Sequence, residues 1–232
     1  MKNSRRTQDP RQCLRSPSCN HNLRLCLATD DCTGLNQIEK GVAVLSRHFV
    51  ACKEKVFNRG KAPDSFLNEL IDWAKQTPDE IFERNQNHDV YSNVAADLGP
   101  FSDLLQRKAV MLEVLRVLGG FESSWKFRAG VDVTNPTSNT PCTEEAGIFQ
   151  CSGNAMEFDD SLKELLSRTT GGDSSCKKFI TTTKENHQFA FEFCARLLRF
   201  TVNHHGPVKR KEINPFLRRD AVAEFRRFLE QD

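Results

Sequence analysis

Apolar residues recur along most of this chain at steps of three and four, the period of a helix that buries one face. Leu35, Ile38, Val42, Leu45, Phe49, Cys52 and Val56 form one such stripe and predict a long helix after Thr33-Gly34. The stripe ends after about three heptads, too soon for a coiled coil, so it predicts a helix facing a core. Pro63-Asp64 opens a second helix whose buried side is Phe66, Leu67, Leu70, Ile71 and Trp73. Thr77-Pro78-Asp79-Glu80 has the form of a capping box with proline at the first helical position, and predicts a short third helix. From Asn85 to Pro100 the chain is polar and rich in turn formers, and it carries the only tyrosine, Tyr91.

Ser102-Asp103 caps a central helix from Leu104 to about Leu118, apolar on nearly every side and therefore expected to be surrounded by other helices. Gly119-Gly120 is expected to break it and deliver Phe121-Glu122-Ser123-Ser124-Trp125. No helical period survives from Lys126 to Cys151, and Asn135 to Pro141 reads as an extended surface loop. Asp159 caps a helix through Leu162, Leu165 and Leu166 that ends at Gly171-Gly172. A long helical region follows from near Cys176, with Phe189, Phe193, Cys194, Leu197 and Leu198 inward, until Gly206-Pro207 stops it. A last basic helix, about Arg219 to Gln231, turns Val222, Phe225, Phe228 and Leu229 to the core. With no convincing strand set and no internal repeat, the fold class is all-α.

Composition adds limits. Hydrophobic residues are 38% and charged residues 28% of the 232, values of a globular chain rather than a disordered one. No apolar run reaches the roughly 18 residues of a membrane helix. MKNSRRTQDPRQ, polar and basic, is not a secretory signal peptide. Nine cysteines nonetheless point to an oxidising compartment. Cys13, Cys19, Cys26 and Cys32 lack the C-x-x-C pairs of common zinc sites and read as disulfide partners within a helical N-terminal extension, residues 1–60. Their connectivity stays open. Cys142 is expected to staple to Cys151, and Cys176 to Cys194, while Cys52, on an apolar face, is the expected free thiol. Residues 61–232 then form the main domain.

The chemistry centres on Glu122. A carboxyl group beside Phe121 and Trp125 loses hydration, which disfavours its charged form and raises its pKa toward the range of a general acid at neutral pH. Three short pieces follow one another in the chain: Glu122-Ser123-Ser124-Trp125, Gly147-Ile148-Phe149-Gln150, and Val202-Asn203-His204-His205-Gly206-Pro207. In this order and helical setting they resemble the lysozyme-like superfamily of goose-type lysozymes and soluble lytic transglycosylases, over roughly residues 104 to 210. The resemblance implies a lysozyme-like helical domain and a glycosidase acting on β-1,4 links of an aminosugar polymer, peptidoglycan first. It matches Glu122 to the catalytic acid, and Gln150 and Asn203 to residues that line the substrate cleft. Ser123 and Phe149 join them as substrate-binding candidates, and Tyr91 is a candidate phenol from elsewhere in the chain. Val202 stands where transglycosylases usually have tyrosine, and the insert between the first two pieces is long, so hydrolysis is expected over transglycosylation.

Glycoside hydrolysis usually needs a second carboxyl group. Asp132, Glu144, Glu145 and Asp159 are available; Asp132 ranks first, at the root of the long loop, and Glu145 second, beside Gly147. From Glu122 to Asp160 seven acids face two bases, a local charge of −5 in a chain of +2. That field would attract a glycan with free amino groups, so tolerance of de-N-acetylated peptidoglycan or a chitosanase-like preference is a further expectation.

Other readings carry less. His204 and His205 lack a matching carboxylate spacing and read as a polar helix terminus rather than metal ligands, and no metal or cofactor is expected. A Cys-His hydrolase using Cys142 or Cys151 needs a reduced, activated thiol, against the oxidising context. The basic ends, Lys209-Arg210-Lys211 and Arg218-Arg219, lack the interleaved aromatics of nucleic-acid surfaces. A non-catalytic cell-wall-binding or inhibitor module is the alternative outside enzymes. The expectation is a monomeric, secreted or periplasmic glycosidase whose partner is a polysaccharide, with no nucleic acid and no transmembrane segment.

Overall fold

The computed structural model describes residues 47–83, 89–130 and 140–231. Four N-terminal cysteines, the stripe from Leu35 to Leu45 and Asp132 lie outside them. The described part of the chain is mostly helical: α1 (Asp64–Gln76), two single turns α2 (Val90–Asn93) and α3 (Ala95–Leu98), and the long α4 (Leu104–Ser123). A two-stranded hairpin follows, β1 (Glu145–Ala146) with β2 (Cys151–Ser152), paired antiparallel with Ala146 opposite Cys151. Then come α5 (Asp160–Thr170), α6 (Cys176–Glu185), α7 (His187–Phe200), the short α8 (Gly206–Lys209) and α9 (Arg219–Glu230). The all-α reading holds, with this small hairpin as the only sheet among the described residues.

The caps at Asp103 and Asp159 follow the sequence, whereas Asn186 divides the expected long region into α6 and α7, α7 ends at Phe200, and Gly206-Pro207 open α8 rather than stop a helix. Asp103 accepts from the Gln106 amide at 2.7 Å, Asp159 from the Ser161 amide at 2.9 Å, and Asn186 from the Phe189 amide at 3.0 Å, each satisfying a donor that the first helical turn leaves open. Thr77 does not close a capping box. Its hydroxyl donates backward to the Trp73 carbonyl at 2.8 Å, and the next residues form only a 3-10 turn, Asp79–Phe82.

The stripe through Phe49, Cys52 and Val56 is buried as expected, but it is not an α-helix. The Val50 and Cys52 amides donate to the two oxygens of Glu224 on α9, at 2.8 Å each, so a side chain takes the donors a helical ladder would use. A 3-10 turn at Ala51–Lys53 is what remains. Residues 47–60, which the sequence assigned to the extension, thereby contribute to the core that α1, α4, α7 and α9 enclose.

Helix α4 passes through Gly119-Gly120 without a break and ends at Ser123, after which Ser124 (φ 55°) and Trp125 (φ 59°) turn left-handed. The two glycines serve a close approach instead. A Cβ on Gly120 would stand 2.7 Å from Trp125 Cζ2, and one on Gly119 would stand 3.4 Å from Phe149 Cε1 and from Trp125 Cδ1. The Trp125 ring folds back over the helix it follows.

Inside the bundle, Glu113 and Arg116 are fully buried and meet through two hydrogen bonds of 2.6 and 2.7 Å. Arg116 also donates to the carbonyls of Glu54 (3.2 Å) and Phe216 (3.3 Å), and Glu113 accepts the Arg218 amide at 2.9 Å. One ion pair therefore ties α4 to two loops that surround the end bearing Glu122. The disulfide joins Cys142 to Cys176 across a separation of 34 residues. This corrects both expected staples: Cys151 and Cys194 are free, buried thiols, as is Cys52.

Candidate active site

Glu122 sits in the last turn of α4 and keeps 19% of its side chain exposed, enough to be reached from solvent while most of the group is desolvated. Its pKa is pushed up to about 8, first by burial and then by the negative charge of Glu145. Arg210 and Arg59 pull it down, and Glu212 pushes it up. A carboxyl so placed is largely protonated at neutral pH, the state required of an acid.

The hairpin carries Glu145 into the field of Glu122. Ser123, the residue beside the acid, holds the turn in place: its hydroxyl oxygen lies 2.8 Å from the Ile148 carbonyl and 3.2 Å from that of Gly119, and accepts the Lys126 amide at 3.1 Å. The Gly147 amide donates to the Ala129 carbonyl at 3.1 Å. Gly147 must be glycine here, since its φ is +76° and a Cβ would meet Thr183 Cγ2 at 2.3 Å. Gln150 also lies in the left-handed region (φ 47°), and its side-chain amide donates to the Gly147 carbonyl at 2.7 Å. A strained residue whose side chain closes its own turn fixes the hairpin's shape.

The third sequence piece reaches the acid through His205, not Asn203. His205 is fully buried, with Nδ1 3.9 Å from Glu122 Oε1. Burial holds its imidazole well below the usual histidine range, and therefore neutral. Asn203 is exposed in the preceding turn, where its amide donates to Thr201 Oγ1 at 3.0 Å. Arg210 lies over Gly206, whose missing Cβ makes room for the guanidinium, and pairs with Glu212 at 2.8 Å.

Of the residues singled out from sequence, Ser123 adjoins Glu122 at the end of α4 and Glu145 acts on its charge, while the Gln150 side chain is taken up inside the hairpin by the Gly147 carbonyl. Phe149 is 2% exposed and belongs to the core, its ring 6.2 Å from that of Phe191. Tyr91 is also buried, its hydroxyl donating to the Arg107 carbonyl at 3.2 Å and its ring edge-on to Phe101. Asp159 is spent as the cap of α5. Asp132 lies outside the described residues. Cys142 is bonded to Cys176, which removes it as a nucleophile.

Sequence reasoning missed Arg59, His205, Arg210 and Glu212 as parts of the acid's environment. The histidine and Arg210 had a signal, because both lie within four residues of Gly206-Pro207 in the third piece. Nothing around Arg59 in the sequence connects it to residues 63 positions later. No family model, no curated protein and no solved structure matches this chain.

Proposed function

We propose that this chain is a lysozyme-like glycoside hydrolase that cleaves β-1,4 links in peptidoglycan, and that it works outside the cytoplasm. The observation that carries the reading is the desolvated Glu122 at the end of α4, its pKa raised by burial and then by the charge of Glu145, with the hairpin that bears Glu145 fastened to the neighbouring residue by the Ser123 contact to Ile148. The order of these pieces and the helical setting support the superfamily resemblance, and the Cys142–Cys176 bond fits an oxidising compartment.

The chemistry divides between the two acids. Glu122, protonated, delivers its proton to the bridging oxygen as the C1–O bond breaks, so that the leaving sugar departs as an alcohol. Glu145 faces the positive charge that develops at the sugar ring. Water adds at C1, its oxygen forming the new bond and its proton passing to a carboxylate. Arg59 and Arg210, both exposed beside the acid, limit how far its pKa rises.

The test is digestion of purified peptidoglycan by the full chain and by Glu122→Gln. The variant keeps the shape of the side chain and loses the proton, and the expected drop in turnover is about 10²–10⁴-fold, the usual weight of general acid catalysis. Unchanged cleavage by the variant excludes the mechanism. Mass spectrometry of released muropeptides should show ends gaining water; anhydro ends would replace hydrolysis by transglycosylation. Binding without cleavage by the wild type would make the chain a cell-wall-binding module.

A further inference from the structure

Beneath the Glu122 end of α4, three ligating side chains from three different elements meet. Cys151 comes from β2, Cys194 from the middle of α7, and His205 from the residue before α8. All three are buried, at 3%, 0% and 2% exposure, and one ligating atom of each lies within 4.8 Å of the others. His205 Nε2 stands 3.7 Å from Cys151 Sγ and 3.6 Å from Cys194 Sγ. A tetrahedral zinc ion with Zn–S of about 2.3 Å and Zn–N of about 2.0–2.1 Å separates its sulfur and nitrogen ligands by roughly 3.6 Å.

We propose that Cys151, Cys194 and His205 form a buried Cys2His site for one zinc-class divalent cation. The charges suit the location. Two thiolates cancel the charge of a divalent ion, so the filled site is close to neutral, which a desolvated position requires. The protons that leave the two thiols pass to solvent on binding, and no oxidant or reductant enters. Softness suits it as well, since a pair of thiolates with one imidazole selects zinc over magnesium or calcium. Three protein ligands leave one coordination position for water or a small anion. The other ring nitrogen, Nδ1, points away from the two sulfurs and lies 3.9 Å from Glu122 Oε1, beyond hydrogen-bond reach, so Nε2 is the nitrogen left to the metal.

The competing arrangements leave His205 poorly served. A Cys151–Cys194 disulfide would remove both S–H groups and present the buried Nε2 only with divalent sulfur, a poor acceptor. Two reduced thiols used as small hydrophobes would give Nε2 contacts of 3.6–3.7 Å to weak donors, on a fully buried polar ring. A bound cation satisfies all three side chains at once. The site stands whether or not the chain cleaves glycans, because its evidence is the ligand geometry alone.

The experiment uses the full chain produced with zinc in the medium and desalted without chelator. Cys13, Cys19, Cys26 and Cys32 are further cysteines, and any that are reduced would take zinc too, so elemental analysis is read as a difference: wild type should retain one more equivalent of zinc than Cys194→Ser, and Cys52→Ser should match wild type. So that the result does not depend on the folding of Cys194→Ser, the wild type is also crystallised and measured at the zinc edge, where an anomalous peak is expected between the two Sγ atoms and Nε2. Substitution by cobalt should give a thiolate-to-cobalt charge-transfer band that Cys194→Ser lacks. No anomalous peak at this position overturns the site, as does peptide mapping under non-reducing conditions that finds Cys151 bonded to Cys194.

Discussion

The indole nitrogen of Trp125 donates to the carbonyl of Arg116 at 2.9 Å, nine residues back along the chain, so the residue that ends α4 is laid over the helix itself. The bond is buried, and Gly119 and Gly120 are the floor on which the ring rests. Glu122 lies between that floor and the ring's own backbone, so its position depends on the fit of Trp125. Gly120→Ala tests this. In an exposed helix the change would stabilise by about 1 kcal/mol. Here the new methyl meets Trp125 Cζ2 at 2.7 Å and Val56 Cγ1 at 3.1 Å. Overpacking of this kind costs about 1–3 kcal/mol. The expected outcome is a lower urea midpoint with a shifted tryptophan emission; a midpoint above wild type would show that the ring is free to move away.

Glu113 and Arg116 are a second dependence. Neither side chain reaches water, and between them they hold the Arg218 amide and the carbonyls of Glu54 and Phe216. Glu113→Ala leaves a buried guanidinium without its counter-charge, and a loss of about 3–5 kcal/mol is expected in chemical denaturation. Glu113→Ala/Arg116→Ala should lose less than the two single changes added together, because the double variant strands no charge. Additive losses would mean the two side chains act separately.

Much of this was legible in the chain. The caps at Asp103 and Asp159 and the inward faces of α1, α5 and α9 follow from local pattern, because a capping side chain and an amphipathic stripe are decided within a few residues. The same local logic misled at Gly119-Gly120. Two adjacent glycines ordinarily mark a stop, and only the later Trp125 and Phe149 rings show why a continuous helix needs them. It misled again at Phe49 to Val56, where Glu224, more than 170 positions away, takes the backbone donors. Disulfide pairing failed for a related reason: Cys142 and Cys176 meet because the hairpin and α6 pack together, a contact no spacing rule contains. At the site, Glu122 and Ser123 were readable from a short motif, and Glu145 only as the acid ranked after Asp132 for its place beside Gly147. Arg59 and the cluster of Cys151, Cys194 and His205 were not, since each joins distant segments.

Asp103 links stability to pH at the far end of α4. The Gln106 amide, with help from Arg226 and Ser102, holds its carboxyl below the usual aspartate range. A group whose folded pKa is depressed adds stability that is fully present above the unfolded value and is lost as pH falls through the folded one. The stability gap between wild type and Asp103→Ala should therefore be constant from neutral pH down to the ordinary aspartate range and close below it. Denaturation series at several acidic pH values would check this. A gap that persists when Asp103 is protonated would mean that the side chain's packing, not its charge, supports the helix.

If the chain is the proposed glycosidase, the acidic stretch that follows Glu122 in sequence bears on substrate choice. Residues 122–160 carry a net −5, and glycan lacking N-acetyl groups is cationic, so attraction should raise its local concentration and its turnover relative to fully acetylated glycan. Arg59 and Arg210 oppose that field next to Glu122, which limits the expected preference to a few-fold. A preference of this origin is screened by salt, because the Debye length falls from about 30 Å at 0.01 M to about 8 Å at 0.15 M. Initial rates on acetylated and chemically deacetylated peptidoglycan, each at low and physiological ionic strength, separate the contributions. Faster turnover of the deacetylated polymer that fades with salt is the expected result. A preference indifferent to salt would place the discrimination in direct contacts to the amino group, and an equal or slower rate on the deacetylated polymer would remove the electrostatic explanation.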